Sequence, residues 1–338
     1  MDTITQMTLG AAVGEVTLGK KLGNKAPMWG AIVGLVPDLD VLAGPFMDTV
    51  SGIVFHRGVT HSIIFALLFA PILGYLIFRL YQKRSGNWRD WTVLTFWVTF
   101  THPLLDNFTG YGTQFFWPFS DYRVALNTIS VIDPLYTVPF LISIIFVLFL
   151  KRTSQRRRFI NYMGIVVSSL YLLLTMGNKI YIENVFKKQL DEANIAYTRI
   201  QTSPTPLNNL LWRGVAEGTN GFWVGYYSLF DGSNKIEFDY IKKNHHLLDG
   251  FHNQPTIRKL TWLTNGYYAM LWKNGSLYLN DMRYGRMNGW EKFEGEFIFA
   301  FRLEATDQDN IYVYRKRPEF NFTGQMLALF ARRMFGII

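Results

Sequence analysis

The chain has no cysteine among its 338 residues. Thiolate metal ligation, disulfides and cysteine nucleophiles are therefore excluded. The absence fits an oxidising compartment without requiring one. There is also no G-x-S-x-G elbow to present a serine nucleophile. The N-terminus reads MDTITQ and lacks the basic region of a cleavable signal. No internal repeat and no low-complexity tract interrupts the sequence. The lack of cysteine and of that elbow is consistent with chemistry that uses no nucleophilic side chain.

Hydrophobic residues make up 49% of the chain, yet the mean hydropathy is only +0.08. The average hides two parts. Residues 1–177 are apolar with short basic breaks, and residues 178–338 read as a soluble domain. The clearest membrane segments are 63–81, 91–105, 134–150 and 159–176, set against a bilayer need of roughly 20 apolar residues. Two weaker segments, 4–19 and 27–44, are rich in Gly and Ala, which permit close helix packing. Glu15 weakens the first of them, for which a re-entrant or half-buried helix is the alternative.

The net charge is +9, and much of it lies between the apolar segments. Lys20, Lys21 and Lys25 form one break, Lys83, Arg84 and Arg89 a second, and Lys151, Arg152 and Arg156 to Arg158 a third. Basic loops face the cytoplasm. The alternation predicts loops 20–25, 83–90 and 151–158 inside, with both termini outside. The expected fold is an α-helical polytopic membrane domain of about six segments, followed by an extracytoplasmic antiparallel β-rich domain. In that second part β-branched or aromatic residues alternate with polar ones, and Asn274-Gly275 signals a hairpin. Residues 179–197 read as a helix continuing from the membrane. The stretch 326–338 reads as an amphipathic helix lying on the domain or on the membrane surface. No nucleic acid is expected, because the densest basic run, 156–158, adjoins a membrane segment.

Three motifs fall on the predicted outer side: PDLD with Asp38 and Asp40, HRGVTHS with His56 and His61, and HPLLD with His102 and Asp106. Ionisable groups near bilayer depth are costly, so they pair, line a cavity or bind metal. His102 and Asp106 share a helical face at i, i+4; a Pro103 kink with local hydrogen bonds is the plainer account of that pair. Pro37 and Gly44 predict an extended PDLD segment, with ordinary capping by Asp40 as its alternative. Thr60 is the expected cap of the third segment, which places His61 in its first turn. Arg57 offers a contact to a substrate anion, or to lipid headgroups. Taken together, Asp38, Asp40, His56, His61, His102 and Asp106 suggest a polynuclear site, with ligands enough for two metals; they suit zinc, and also manganese or iron. Asp121 and Asp133 are weaker candidates from the same side, and Gln6 is a candidate for supporting the ligands. His245, His246 and His252 read as surface or turn residues.

With these residues the chain resembles the YdjM/YbcI-type family of inner-membrane metal-dependent hydrolases. MDTITQMTLGAAVGE, GAIVGLVPDLD, HRGVTHS and THPLLD match its successive motifs, over roughly residues 1–150. The membrane half is more remotely similar to the all-helical zinc-dependent phospholipase C and nuclease superfamily. The resemblance implies metal-dependent phosphoester hydrolysis, with a lipid or lipid-linked substrate at the outer face of the inner membrane. Asp40 and Arg57 would act in catalysis. Many relatives carry His where Gln6 stands, so one metal position would be altered here. The rival expectation is a non-catalytic membrane protein with a structural His/Asp cluster, whose β-rich domain binds an envelope partner.

Overall fold

The computed structural model describes residues 1–338 apart from 82–85, 252, 294, 306–310, 317 and 319–322. Lys83, Arg84 and His252 lie outside the described residues. The chain divides into two units. The first holds Met1–Ala43, Phe55–Gly177 and Pro206–Asn209, and the second holds Gly44–Val54, Asn178–Thr205 and Leu210–Ile338.

The first unit is helical. Its helices are α1 (Thr3–Leu22) and α2 (Lys25–Val33), a 3-10 stretch over Pro37–Phe46 that continues into the second unit, α4 (Ile63–Leu80), α5 (Trp88–Asp106), α6 (Pro134–Phe149) and the start of α7 (Gln155–Glu192); α3 (Thr49–Phe55) belongs chiefly to the second unit. Side-chain oxygens accept backbone N–H groups at four helix starts: Asp2 for α1, Ser62 for α4, Asn87 for α5 and Asp133 for α6. The cap of α4 is thus Ser62 and not Thr60. His61 ends a separate 3-10 turn, Val59–His61, instead of opening α4.

Among the described residues, three stretches are long and apolar enough to cross a membrane: Lys25–Phe46, Ile63–Leu80 and Gln155–Glu192. α6 is apolar but shorter. These helices carry large apolar side chains on their outer faces, among them Leu68 and Leu76 on α4, Phe146 on α6, and Leu170 and Leu173 on α7. In water such surfaces would associate; against hydrocarbon they carry no penalty.

α1 and α2 meet through glycine. A methyl group added at Gly30 would lie 2.0 Å from the Gly10 carbonyl oxygen, and one at Gly14 would lie 2.4 Å from that of Ala26. No side chain fits there, so the Gly/Ala richness of both segments sets the backbone separation. Gly30→Ala should cost about 1–3 kcal/mol or more by overpacking. Gly177→Ala, whose added methyl meets nothing within 4 Å, should be neutral or slightly stabilising. Thermal unfolding of the two variants in detergent checks this contrast.

Glu15 is buried in α1 and faces Arg157 of α7, with Nε–Oε1 and Nη2–Oε2 both at 2.7 Å. Arg157 Nη1 also donates to Asn24 Oδ1 and to the Leu150 carbonyl, each at 2.7 Å. Arg157 is therefore the buried counter-ion of Glu15 and no free loop charge, which is how α1 tolerates an internal carboxylate.

The second unit holds two four-stranded antiparallel sheets, each a meander in chain order. The first comprises β1 (Arg199–Pro204), β2 (Leu211–Glu217), β3 (Gly221–Ser228) and β4 (Phe238–Lys242). The second comprises β5 (Tyr268–Lys273), β6 (Ser276–Asp281), β7 (Ala300–Ala305) and β8 (Ile311–Lys316). Asn274 and Gly275 turn β5 into β6 with φ of 50° and 73°, as a two-residue hairpin requires. α8 (Pro255–Leu263) buries Ile257, Leu260 and Leu263 in a core with Leu279, Phe301 and Val50 of α3. A short α9 (Gly289–Lys292) and the C-terminal α10 (Gly324–Met334) complete the unit. α10 rests on the domain: Phe330 and Met334 pack against the core beside Trp290, and Arg333 pairs with Asp231 at 2.7 Å. His245 lies in a 3-10 segment, stacked on Tyr268 with ring centroids 3.9 Å apart, and His246 is exposed.

Candidate metal centre

The PDLD segment is a 3-10 helix, contrary to the extended form expected from Pro37 and Gly44. At three residues per turn, side chains two apart diverge by about 120°. Asp38 and Asp40 therefore meet opposite nitrogens of His61, Asp38 at Nε2 and Asp40, whose Oδ2 lies 3.6 Å away, at Nδ1. Asp38 turns to His61 and His102, with its Oδ1 at 3.2 Å and 3.5 Å from their Nε2 atoms. Asp40 accepts from His56 Nδ1 at 2.7 Å and from the Thr60 hydroxyl at 2.6 Å.

The last turn of α5 supplies the other pair. His102 and Asp106 share one face, with Nε2 and Oδ2 3.7 Å apart. The Asp106 Oδ2 lies 3.5 Å from His61 Nε2. Asp38, His61, His102 and Asp106 thus each present one ligand atom, and all four atoms lie within 4.8 Å of one another. Three of the four side chains are 0–1% exposed, and Asp38, at 29%, is the one that opens to the outside.

The hydrogen bonds behind the ligands fix what these atoms can do. His102 Nδ1 donates to the Gly34 carbonyl at 2.7 Å, so its proton sits there. Its Nε2 then carries a lone pair, and that atom is buried without a hydrogen-bond partner. The Thr60 hydroxyl, donating to Asp40, has its oxygen left to accept from His61 Nδ1 at 3.0 Å. That assignment leaves His61 Nε2 a lone pair as well. Burial pushes the His61 imidazole down to about 4, against the pull of Asp38, so the ring is neutral at pH 7. Two imidazole lone pairs and two carboxylate oxygens converge with no proton between them. Such a set is costly alone and suits a divalent cation. The residues present fit a metal by their chemistry and by the unpartnered His102 nitrogen.

Other groups hold the ligands in place. Gln6 Nε2 donates to Asp106 Oδ1 at 3.1 Å and to the His102 carbonyl at 3.2 Å, turning Oδ2 toward the cluster. Gln6 therefore braces Asp106 and is not one of the four converging residues. The Met1 amino group also contacts Asp106 Oδ1. Arg57, at φ 66°, puts its Nε 3.6 Å from Asp106 Oδ2. Its Nη1 donates to Thr109 at 2.9 Å, and its guanidinium lies 4.8 Å from the Tyr111 ring centroid. It is a buried positive charge beside the cluster.

The six motif residues expected as ligands thus divide into four that converge and an adjoining Asp40–His56 pair. His56 is partly exposed and sets its ring edge-on to His61, 5.4 Å between centroids. Asp133 caps α6 through Leu135 N and Tyr136 N and accepts from the Tyr171 hydroxyl at 2.9 Å. Its lone pairs are used there, away from the four ligand atoms. Asp121 lies in an exposed loop. Sequence reasoning missed two supports. The Thr60 hydroxyl had been read as the cap that Ser62 provides, and the Gly34 carbonyl, a backbone group, left no signal.

The comparisons with known proteins bear out the family. The model of the YdjM inner membrane protein family matches residues 1–180. The uncharacterized protein YfhP of Bacillus subtilis (strain 168) is 29% identical over 238 residues, 67% of this chain and 68% of that protein. The inner membrane protein YbcI of Escherichia coli (strain K12) is 40% identical over 96 residues, 28% of this chain and 54% of that protein. No solved structure matches. With more than half of its length under the family model, the chain belongs to the YdjM inner membrane protein family.

Proposed function

We propose that this protein is a membrane-bound metal-dependent hydrolase that cleaves a phosphoester, lipid or lipid-linked, at the outer membrane–water interface. The observation that carries the reading is the convergence of Asp38, His61, His102 and Asp106, with the His102 Nε2 buried and unpartnered. Zinc is the first expectation, and manganese or iron also fit these donors. A divalent metal held there supplies Lewis acidity, acidifying water and stabilising charge on a substrate oxygen. Asp38 is the ligand on the open side, so substrate approaches past it. Arg57 adds a fixed positive charge beside Asp106, which favours an anionic substrate. Asp40 acts through the residues it holds, His56 and Thr60.

The reading includes an inner-membrane, multi-pass organisation of about six segments, with residues 179–338 extracytoplasmic. The basic breaks and the apolar outer faces of α4, α6 and α7 support it. A reporter fused after Ile338 should be active only in its periplasmic form; activity only in the cytoplasmic form overturns this topology.

One observation favours a second reading. Four protein donors suffice for a closed tetrahedral metal, and three of these are almost wholly buried. A structural metal in a non-catalytic protein, with the β-rich unit binding an envelope partner, would look the same. A panel of phosphomonoesters, phosphodiesters and phospholipids separates the two. Chelator-sensitive cleavage of a panel member supports the enzyme. No cleavage by metal-loaded protein, with a partner recovered through residues 200–320, supports the binding protein.

A further inference from the structure

The second unit contains a polar groove of about 560 Å³, lined by Thr219, Asn220, Tyr240, Lys242, Lys243 and Asn244 together with His245 and His246. It sits where the turn between β2 and β3 meets the end of β4 and the segment leading to β5. Its volume is in the range of small-ligand sites. Among the described residues, no carboxylate lines it.

The lining side chains divide by role. Lys243 is engaged: its Nζ pairs with Glu217 at 2.7 Å and lies 5.4 Å from the Phe222 ring centroid. Asn244 Nδ2 donates to the Met270 carbonyl at 3.0 Å, and His245 Nε2 to that of Tyr268 at 2.8 Å. These three fix the wall. Lys242 and His246 are exposed, and neither is in an ion pair among the described residues.

Tyr240 supplies the floor. A methyl added at Gly221 would lie 2.5 Å from its ring carbons, so the ring lies over the bare backbone of the neighbouring strand. It also packs on Trp223 with centroids 4.7 Å apart. Tyr240 is nevertheless 39% exposed, so part of a supported aromatic ring faces the groove.

An aromatic face, an amide and hydroxyl rim from Asn220 and Thr219, and a Lys242 ammonium in no ion pair among the described residues match one ligand chemistry. We infer that this groove binds an acidic saccharide unit, its ring on Tyr240 and its negative group between Lys242 and His246. A duplex or single-stranded nucleic acid would need a continuous basic track, whereas here Glu217 already neutralises Lys243. The acidic group can be a carboxylate, as in a uronic acid, or a phosphate on a sugar.

The test uses the full chain in detergent and calorimetric titration. The probes are a trigalacturonate, glucose 1-phosphate, inorganic phosphate and a neutral trisaccharide. Binding of trigalacturonate or glucose 1-phosphate at least tenfold tighter than both inorganic phosphate and the neutral trisaccharide is the expected result. The tighter of those two identifies the source of the charge. Lys242→Ala and Tyr240→Leu should each weaken that binding at least fivefold, with the circular dichroism spectrum unchanged. Equal binding of neutral and acidic saccharides, no saccharide binding, or affinity unchanged in both variants overturns the inference. The metal centre takes no part in this readout.

Discussion

Replacing His102 by alanine is expected to weaken divalent metal binding by more than about 100-fold, the upper range for losing a mere supporting contact to a ligand. Phosphoester turnover should fall to background in the same variant. The reason is geometric. His102 Nε2 faces Asp38 and Asp106 at 3.5 Å and 3.7 Å, and its other nitrogen is committed to the Gly34 carbonyl. His56 is not free to take its place, because it is held by Asp40. His56→Gln is the informative contrast. It should leave metal content near that of the wild type, since His56 is outside the four converging residues. Metal analysis of the two purified variants, with circular dichroism to show that both are folded, checks the pair of outcomes. Equal metal loss in both would mean that the six motif residues act as one set.

The second large effect is on stability. Arg157→Met should cost about 3–5 kcal/mol, because it strands the buried Glu15 carboxylate without its partner. Glu15 and Arg157 are almost fully buried, and they share two hydrogen bonds of 2.7 Å. The double variant Glu15→Leu with Arg157→Met should recover most of the loss, since apolar replacement of a buried ion pair is often neutral. Unfolding followed by circular dichroism in detergent measures both. A single variant within about 1 kcal/mol of wild type would show that water reaches Glu15.

The helical half, the β-rich half and the site motifs were legible because each rests on local pattern. Apolar runs marked α4, α6 and α7, alternation marked the strands, and Asn274-Gly275 marked the turn between β5 and β6. His102 and Asp106 were legible as one face because i, i+4 spacing fixes direction on any helix. What the sequence hid depends on partners distant along the chain. Arg157 looks like any loop cation until Glu15, 142 residues away, is seen against it. The 3-10 form of PDLD was obscured by Pro37 and Gly44, which read equally well as a break, and this changes the chemistry by sending Asp38 and Asp40 apart. The role of Thr60 was masked by Ser62, since either hydroxyl can cap the helix that follows and only Ser62 does. Where α10 rests was likewise open from its amphipathic pattern, because an apolar stripe does not say whether protein or lipid covers it. Phe330 and Met334 pack on the β-rich core.

X-ray absorption on the purified, detergent-solubilised wild-type protein, with metal content measured on the same sample, tests the central claim most directly. The account expects one divalent metal at this centre, bound by nitrogen and oxygen only, at about 2.0–2.2 Å, with the scattering signature of two imidazoles. That signature should drop to one imidazole in His61→Ala if any metal is retained. Absence of stoichiometric metal after purification without chelator and reloading with zinc, manganese or iron would contradict the account, and so would a bound metal whose surroundings are unchanged in His61→Ala.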